Sequence, residues 1–398
     1  MFMTCVVTGC GPADSRSHID KADYYTVDWR KAVVGRELQH AILDWHDVPR
    51  LAVVQQRLIY PFPGQDSLDA TMGGSRGAQL LPDGRAAILG HRGYIMLVDG
   101  MGRANFLASR GEGPGELIGP EWLQALPDGR IATWDGSLSR LSFFSPWTGE
   151  SSSLPIRRSE ERTSRIVYPK AVMGSGTVLG RIREGYPVED GAFIIRADIA
   201  MLDESGIPRA PLLRDVPMSE IDMRNAVNPA TGTRMFSTFQ PPFGRSGHLV
   251  AGGTTICYIW TGAADIACGA VDGPVWTILR DTSAGRPITE RDYQYRLDSV
   301  YLSKVRPQTW PEQERAVRAV PIADSMPRWG QPFLDRDDVL WLPKYAAIPE
   351  QEQQVLLIES GRVHGTVQLP ARMSFTGHWE INWSWHAGTP MGCAVSSF

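Results

Sequence analysis

The chain has 398 residues, of which 42% are hydrophobic, and it contains 40 glycines, 29 prolines and 13 tryptophans. This length allows two ordinary domains or one large β-barrel or propeller, and the turn-rich composition argues against a helical or disordered protein. The formal net charge is −4, from 40 basic and 44 acidic residues, which disfavours nucleic acid and anionic membrane surfaces as partners.

The N-terminal segment MFMTCVVTGC is a short apolar stretch that ends at Cys10 and leads into a polar Gly, Pro, Asp and Ser segment. Its V-T-G-C ending resembles the lipobox of bacterial lipoproteins. The resemblance implies that residues 1–9 are a truncated signal peptide, that Cys10 is lipidated and that residues 10–25 are a tether. The stretch is short and no Lys or Arg precedes it, so an ordinary cytosolic N-terminus with a chance VTGC stays open.

Two copies of one turn motif lie 45 residues apart, because LLPDGRAAIL begins at Leu80 and ALPDGRIATW begins at Ala125. Each Pro-Asp-Gly turn lies between two apolar runs, which is typical of a β-hairpin, and a second hairpin pattern follows. Later segments keep the rhythm: FIIRADIAMLDESGIPRAPLL, ADIACGAVDGPVWTIL and QQVLLIESGRVHGTVQL. Four short strands per ~40–50 residues is the period of propeller blades, which pack radially around a channel.

Between the two repeats lies RGEGPGEL, in which Gly111, Gly113, Pro114 and Gly115 raise the alternative of a phosphate-binding loop. Pro114 has no N–H to donate, the two glutamates would repel phosphate, and no helix follows. The segment also separates the last strand of one repeat from the first strand of the next. It therefore predicts a structural crossover between blades, where glycine permits sharp turns and close approach.

The run from Gly111 to Leu117, followed by an LPDGR turn, resembles the bacterial six-bladed β-propeller family related to the NHL repeat. Ala108 and Ser109 stand where that family has a leading Gly-Arg. The resemblance implies an all-β, six-bladed β-propeller of four-stranded antiparallel blades over residues 26–372. It also implies a bacterial cell envelope location, on the periplasmic or outer-membrane side. It implies no reaction, because most members have no assigned activity.

The segment TTICYIWTGAADIACGAV folds back about residues 261–264, and Cys257 and Cys268 are equidistant from its centre. A tight hairpin would place the two cysteines opposite each other, with Cβ atoms ~4.5–5.5 Å apart. A disulfide needs ~3.5–4.5 Å, so a slight adjustment is required. The alternatives are a disulfide, which an oxidising compartment permits, and two free buried thiols.

A helical insertion is predicted near 289–319, where the strand rhythm stops. Two helices are expected, at about 289–304 and 310–319. Thr289 can cap the first helix, and Pro311 suits the first turn of the second. The insertion is expected to cover one face of the propeller, with no catalytic role.

The tail, residues 373–398, also departs from the repeats, because it is rich in tryptophan and lacks a hairpin that would close the ring. One shifted reading frame of its permitted codons encodes a strand, a D-P-D-G turn and a second strand. The tail is interpreted either as out of frame or as genuine sequence, and poor packing beside an incompletely closed last blade is expected.

No catalytic residue and no cofactor is predicted. Gly73–Gly77 matches G-x-S-x-G but lacks the strand and helix that a nucleophile elbow requires. The eight histidines show no metal-binding spacing. Scattered ligands can still converge at a propeller channel, so the presence of a metal site is left open. The expected function is an envelope-anchored, non-catalytic binding or scaffolding module for a protein, peptide or glycan. The alternatives are a Ca²⁺- or Zn²⁺-dependent hydrolase or lyase of lactonase type and a structural fragment without its own function.

Overall fold

The structure is a computed structural model that describes residues 27–45, 47–51, 55–58, 75–156, 166–183, 191–227, 234–302, 307–318, 320, 325–335, 337–346, 353–359, 361–369, 378–379 and 394–397. These residues form an all-β propeller of five antiparallel sheets, with short helices inserted before the last sheet. We number the sheets as blades I to V in chain order.

The N-terminal segment lies along the outer rim of blades IV and V. It contains helix α1 (Trp29–Ala32) and strands β1 (Glu37–Leu43), β2 (Arg50–Leu51) and β3 (Gln55–Leu58). Strand β1 pairs in parallel with the last strand of blade IV, and β2 pairs in parallel with the last strand of blade V. Two indoles fasten the segment, because Trp29 Nε1 donates to Asp265 at 3.1 Å and Trp45 Nε1 donates to Asp281 at 2.8 Å.

Blades I and II contain the repeated sequence. Blade I consists of β4 (Ser75–Leu80), β5 (Ala86–Gly90), β6 (Ile95–Val98) and β7 (Ala104–Arg110), with the short β8 (Glu116–Leu117) beside β7. Blade II consists of β9 (Pro120–Ala125), β10 (Ile131–Asp135), β11 (Arg140–Phe144) and β12 (Ser151–Pro155). In both blades the strands follow one another as an antiparallel meander, as the hairpin patterns predict.

Blades III to V have less regular sequences but the same order of strands. Blade III consists of β13 (Ile166–Val172), β14 (Val178–Arg183), β15 (Gly191–Leu202), β16 (Pro208–Val227) and β17 (Arg234–Phe239); blade IV of β18 (Gly247–Ala251), β19 (Thr255–Trp260), β20 (Asp265–Ala270) and β21 (Val275–Asp281); blade V of β22 (Phe333–Leu334), β23 (Val339–Pro343), β24 (Gln353–Glu359) and β25 (Arg362–Leu369). Strand β4 contacts β9, β13 contacts β18, and β18 contacts β22. The first strands therefore surround the centre.

The two LPDGR turns have the same geometry. Gly84 and Gly129 adopt φ of 84° and 82°, a left-handed conformation that favours glycine. The aspartate before each glycine accepts a hydrogen bond from the following arginine N–H, at 3.0 Å in both Arg85 and Arg130. The repeated turn motif therefore encodes the same first hairpin in both blades.

The core consists of apolar layers between successive blades. One cluster joins Leu89 and Ile95 of blade I to Leu123 and Phe144 of blade II. The next cluster joins tryptophans of blade II to valines and a leucine of blade III. Second strands such as β5, β10 and β23 are buried along their whole length, because neighbours cover both faces. This packing explains their nearly continuous apolar sequences.

The predicted helical insertion contains α2 (Glu290–Arg296), a π-helical segment (Leu297–Tyr301), a 3₁₀ turn (Pro307–Thr309) and α3 (Trp310–Arg318). Thr289 caps α2: its Oγ1 accepts from Asp292 N, and Asp292 Oδ2 accepts from Thr289 N at 3.1 Å. Burial opposes ionisation of Asp292, but hydrogen bonds from Thr289 and Arg286 outweigh it, so the pKa of Asp292 is lowered. The insertion packs against Phe243, which lies in the connection from blade III to blade IV.

The prediction of six blades is wrong, because the described residues form five. The sixth blade would need strands from the N-terminal part of residues 26–372, but β1 and β2 extend blades IV and V instead. The blades are also not uniformly four-stranded. In the tail, β26 (His378–Trp379) pairs in parallel with β4, and β27 (Ala394–Ser397) pairs with β3. The rest of the tail lies outside the described residues, and the out-of-frame interpretation stays a prediction.

Candidate functional site

A cavity of about 250 Å³ lies at the centre of the propeller. Its wall receives residues from all five blades, including Gln79 of blade I, Gln124 of blade II, Lys170 of blade III, His248 of blade IV and Gln331, which directly precedes blade V. Because the first strands carry most of this wall, the cavity occupies the position where propellers place a central channel. It is the candidate binding site of the chain.

Two glutamine side chains join the first strands around one end of the cavity. Gln79 Nε2 donates to Leu123 O at 2.8 Å, and its Oε1 accepts from Ala125 N. Gln124 Nε2 donates to Val172 O at 2.7 Å, while its Oε1 accepts from Val172 N at 2.8 Å. The first strands of blades II and III lie at the edges of their sheets, so on that side their backbone groups have no neighbouring strand among those described. Each glutamine amide supplies hydrogen-bonding partners for these groups in the next blade. We call these two contacts the amide seams.

Gln79 and Gln124 were not singled out in the sequence, although a signal existed. They lie 45 residues apart, at the same offset before the two Leu-Pro-Asp-Gly turns. A polar residue that recurs at one position of a repeat indicates a shared hydrogen-bonding role within the repeat. In blade III the corresponding position is Ala171, so this seam type stops there.

The boundary between blades III and IV is built from other chemistry. Arg245 donates from N and Nη1 to Glu220 Oε2 at 3.0 and 3.5 Å, and the two side chains are only 3% and 6% exposed. Tyr258 OH donates to Pro217 O. Burial raises the pKa of Tyr258 well above its usual value, because the phenolate would lose its hydration. We call the contacts of these four residues the charged seam.

Gly247 allows the inner strand of blade IV to approach the charged seam. A Cβ at this position would lie 2.3 Å from Pro217 O and 2.8 Å from Tyr258 OH. Any other residue would therefore force the strand away from blade III. Gly247 also lines the cavity, so this close approach shapes the cavity wall.

The structure places Gly111, Gly113, Pro114 and Gly115 in the connection from β7 to β9. The carbonyl oxygens of Glu112, Gly113 and Glu116 accept hydrogen bonds from the Arg140 guanidinium at 3.1, 3.0 and 2.5 Å. Backbone acceptors that converge on a cation form the opposite of a phosphate cradle. A Cβ at Gly111 would lie 2.0 Å from Glu116 Oε2, so the Glu116 side chain would have to move if this glycine were replaced.

Cys257 and Cys268 lie opposite each other on β19 and β20, and the structure joins them as a disulfide. Both side chains are buried, and they pack in the apolar cluster between blades IV and V. The pair stabilises the central hairpin of blade IV, and neither cysteine lines the cavity, although Cys257 is opposite the lining residue Val250.

Cys10, the predicted lipidation site, lies outside the described residues. Within the described ranges, no helix is long and apolar enough to cross a membrane. The same ranges contain no group of three or more His, Cys, Asp or Glu side chains arranged to hold a metal ion.

No protein-family model matches the chain, and no curated protein matches it. Among solved structures, it is similar to virginiamycin B lyase from Staphylococcus aureus, at 12% identity over 54% of this chain and 87% of that chain, with a TM-score of 0.27. Similarity to the calcium-binding protein regucalcin from Agrobacterium tumefaciens is 12% identity over 81% and 80%, with a TM-score of 0.35. YCF48 bound to D1 peptide gives 14% over 56% and 55%, with a TM-score of 0.29. Such low scores transfer no ligand or activity to this chain.

Proposed function

We propose that the chain is a non-catalytic binding module whose ligand enters the central cavity. The cavity supports this function because all five blades contribute to one wall, and the amide and charged seams hold that wall in a fixed geometry. A preformed concave site with a few polar groups at fixed positions is the usual arrangement for a small ligand or for one group of a larger one. The ligand class is a protein, peptide or glycan segment with a terminal group that fits the cavity.

A cavity-blocking variant tests this function. Leu249 is half-buried and lines the cavity, so Leu249→Trp should fill part of it. Leu154 is equally half-buried but lies on the outer strand β12, so Leu154→Trp is a matched control. Each protein is immobilised and exposed to an extract of bacterial envelopes, and the bound molecules are identified by mass spectrometry. Molecules retained by the wild type and by Leu154→Trp, and lost with Leu249→Trp, support the function; equal retention by Leu249→Trp contradicts it.

The anchoring proposal rests on Cys10 and on the polar segment that follows it. We propose that a lipid on Cys10 holds the propeller at the bacterial envelope, since several acyl chains give firm attachment. Replacing Cys10 by serine, in a gene with its complete upstream signal, should move the protein from the membrane to the soluble fraction. Unchanged fractionation would contradict the proposal.

Metal addition separates binding from the lactonase-type alternative. We expect Ca²⁺ and Zn²⁺ to leave the thermal stability of the purified protein unchanged and to produce no esterase or lactonase activity. A stoichiometric metal whose removal abolishes such an activity would replace the binding function with the enzymatic one.

A further inference from the structure

The charged lining of the cavity is concentrated in blade III. Lys170 of β13 and Arg181 of β14 both line it, while the acidic lining residue is Glu121 of blade II. Glu121 is exposed, and its carboxylate lies beside the turn of its own blade: a Cβ at Gly136 would be 2.3 Å from Glu121 Oε1. The cavity lining thus contains two basic side chains and one exposed acidic side chain.

A backbone irregularity positions Lys170. In the pairing of β13 with β14, Pro169 is opposite Gly180 and Ala171 is opposite Leu179, so the register shifts at Lys170. A β-bulge of this kind bends the strand and changes the direction of a side chain. Lys170, at this bulge, lines the cavity together with Ala171.

Blade II holds the bulge on both sides. Trp122 Nε1 donates to Pro169 O at 3.0 Å, immediately before Lys170. On the other side, the Gln124 amide forms two hydrogen bonds with the backbone of Val172. The bulge is thereby fixed to the neighbouring blade, which keeps the lysine stem at the cavity.

Arg181 provides a planar cationic group in the lining of the same cavity. Its guanidinium carbon lies 4.9 Å from the centre of the Tyr168 ring, in a cation–π contact. Stacking limits the orientations of a guanidinium, and its forked N–H donors match the two oxygens of a carboxylate or phosphate. A lysine supplies a point charge to the same anion.

We propose that the central cavity binds an anionic group of its ligand, a carboxylate or a phosphate, through Lys170 and Arg181. This inference rests on the proposed binding function and specifies its ligand. The cavity of about 250 Å³ is open to solvent, so it can accept a small acid or the acidic end group of a larger molecule.

Titration calorimetry of the full chain tests the inference with three probes: succinate, inorganic phosphate and the neutral diamide succinamide. We expect one of the anions to bind and succinamide not to bind, with the affinity falling as salt is raised. The anion that binds identifies the preferred oxyanion. Lys170→Gln and Arg181→Gln should each weaken its binding at least about tenfold, and the double variant should abolish it.

Arg103→Gln is the matched control, because Arg103 is exposed and pairs with Asp99 in a turn of blade I away from the cavity. It should bind the anion as the wild type does, and all variants should melt within a few degrees of it. Absence of binding of both anions at 10 mM, equal binding of succinamide, or unchanged affinity in the double variant would each overturn the inference. If envelope ligands are lost with Leu249→Trp but retained by the double variant, the binding function holds and only the anionic specificity fails.

Discussion

The amide seams and the charged seam solve the same problem with different chemistry. In the amide seams, neutral side chains of blades I and II provide the missing partners of the next blade's inner strand. In the charged seam, a buried carboxylate and guanidinium and a buried phenol join blades III and IV. Removing a neutral amide from water costs less free energy than removing an ion. Two buried ions are therefore tolerated only while each keeps its partner. The charged seam should therefore be more sensitive to substitution than the amide seams and, through Tyr258, to alkaline pH.

The largest effect is expected at the charged seam. Glu220→Ala leaves the Arg245 guanidinium buried without its carboxylate, which should lower the free energy of unfolding by about 3–5 kcal/mol. Urea denaturation measures the loss. Glu314→Ala breaks the half-exposed pair with Arg318 and should cost at most about 1 kcal/mol. Similar losses in the two variants would show that the buried pair has no special weight.

The disulfide should have the next largest effect. Replacing Cys257 and Cys268 by alanine together removes a cross-link between residues separated by 11 positions. Loop entropy predicts a loss of about 2–3 kcal/mol, because the unfolded chain gains freedom. Reductant should lower the free energy of unfolding of the wild type by the same amount as the double substitution does. Alkylation of both thiols in the unreduced protein would contradict the cross-link.

Loss of one amide seam should cost less than loss of the charged seam. Gln124→Ala leaves the Val172 N–H and C=O without their partners, and we expect a loss of about 1–3 kcal/mol in urea denaturation. Gln39→Ala is the control, since Gln39 is exposed on β1, and it should change stability by less than about 0.5 kcal/mol. A loss in Gln124→Ala as large as that of Glu220→Ala would remove the distinction between the two seams.

The smallest effect is a dependence on alkaline pH. Burial raises the pKa of Tyr258 in the native protein, whereas in the unfolded chain the phenol ionises near ~10. Above that pH the unfolded state therefore binds fewer protons than the native state. The contribution of Tyr258 to the free energy of unfolding is complete at lower pH, and above pH ~10 it falls by up to about 1.4 kcal/mol per pH unit. Tyr258→Phe should flatten the decline between pH 10 and 11.5, measured by urea denaturation. An unchanged slope would assign the decline to other groups.

Local features of the fold were predictable from the sequence. The LPDGR turns, the crossover at Gly111–Gly115, the cap at Thr289 and the opposition of Cys257 and Cys268 each depend on neighbours within about a dozen residues in the chain. The number of blades was not predictable in this way. It depends on strands β1 and β2, which pair with partners far along the chain and carry no local signal for the parallel arrangement.

The candidate site was only partly accessible to sequence reasoning. Gln79 and Gln124 could be found from their equal offset in the repeat. Lys170 and Arg181 could not, because a bulge breaks the alternation from which the direction of a side chain is inferred. The mixed charges of residues 157–170 predict a solvated linker between blades, but Ile166–Val172 is the inner strand of blade III. A strand that is bulged and partly polar does not show the period of two that identifies a strand.

Strand β1 has a consequence for how the protein folds. Trp29 and Trp45 each hydrogen-bond an aspartate 236 residues further along the chain. Blade IV, which contains both aspartates, must therefore be available before these contacts and the pairing of β1 with β21 can form. Closing so long a loop is slow, because the chain loses conformational entropy before the contacts that compensate for this loss have formed. Docking of β1 onto β21 thus becomes a late step in maturation, and it covers the open strand edge through which newly made chains would otherwise associate.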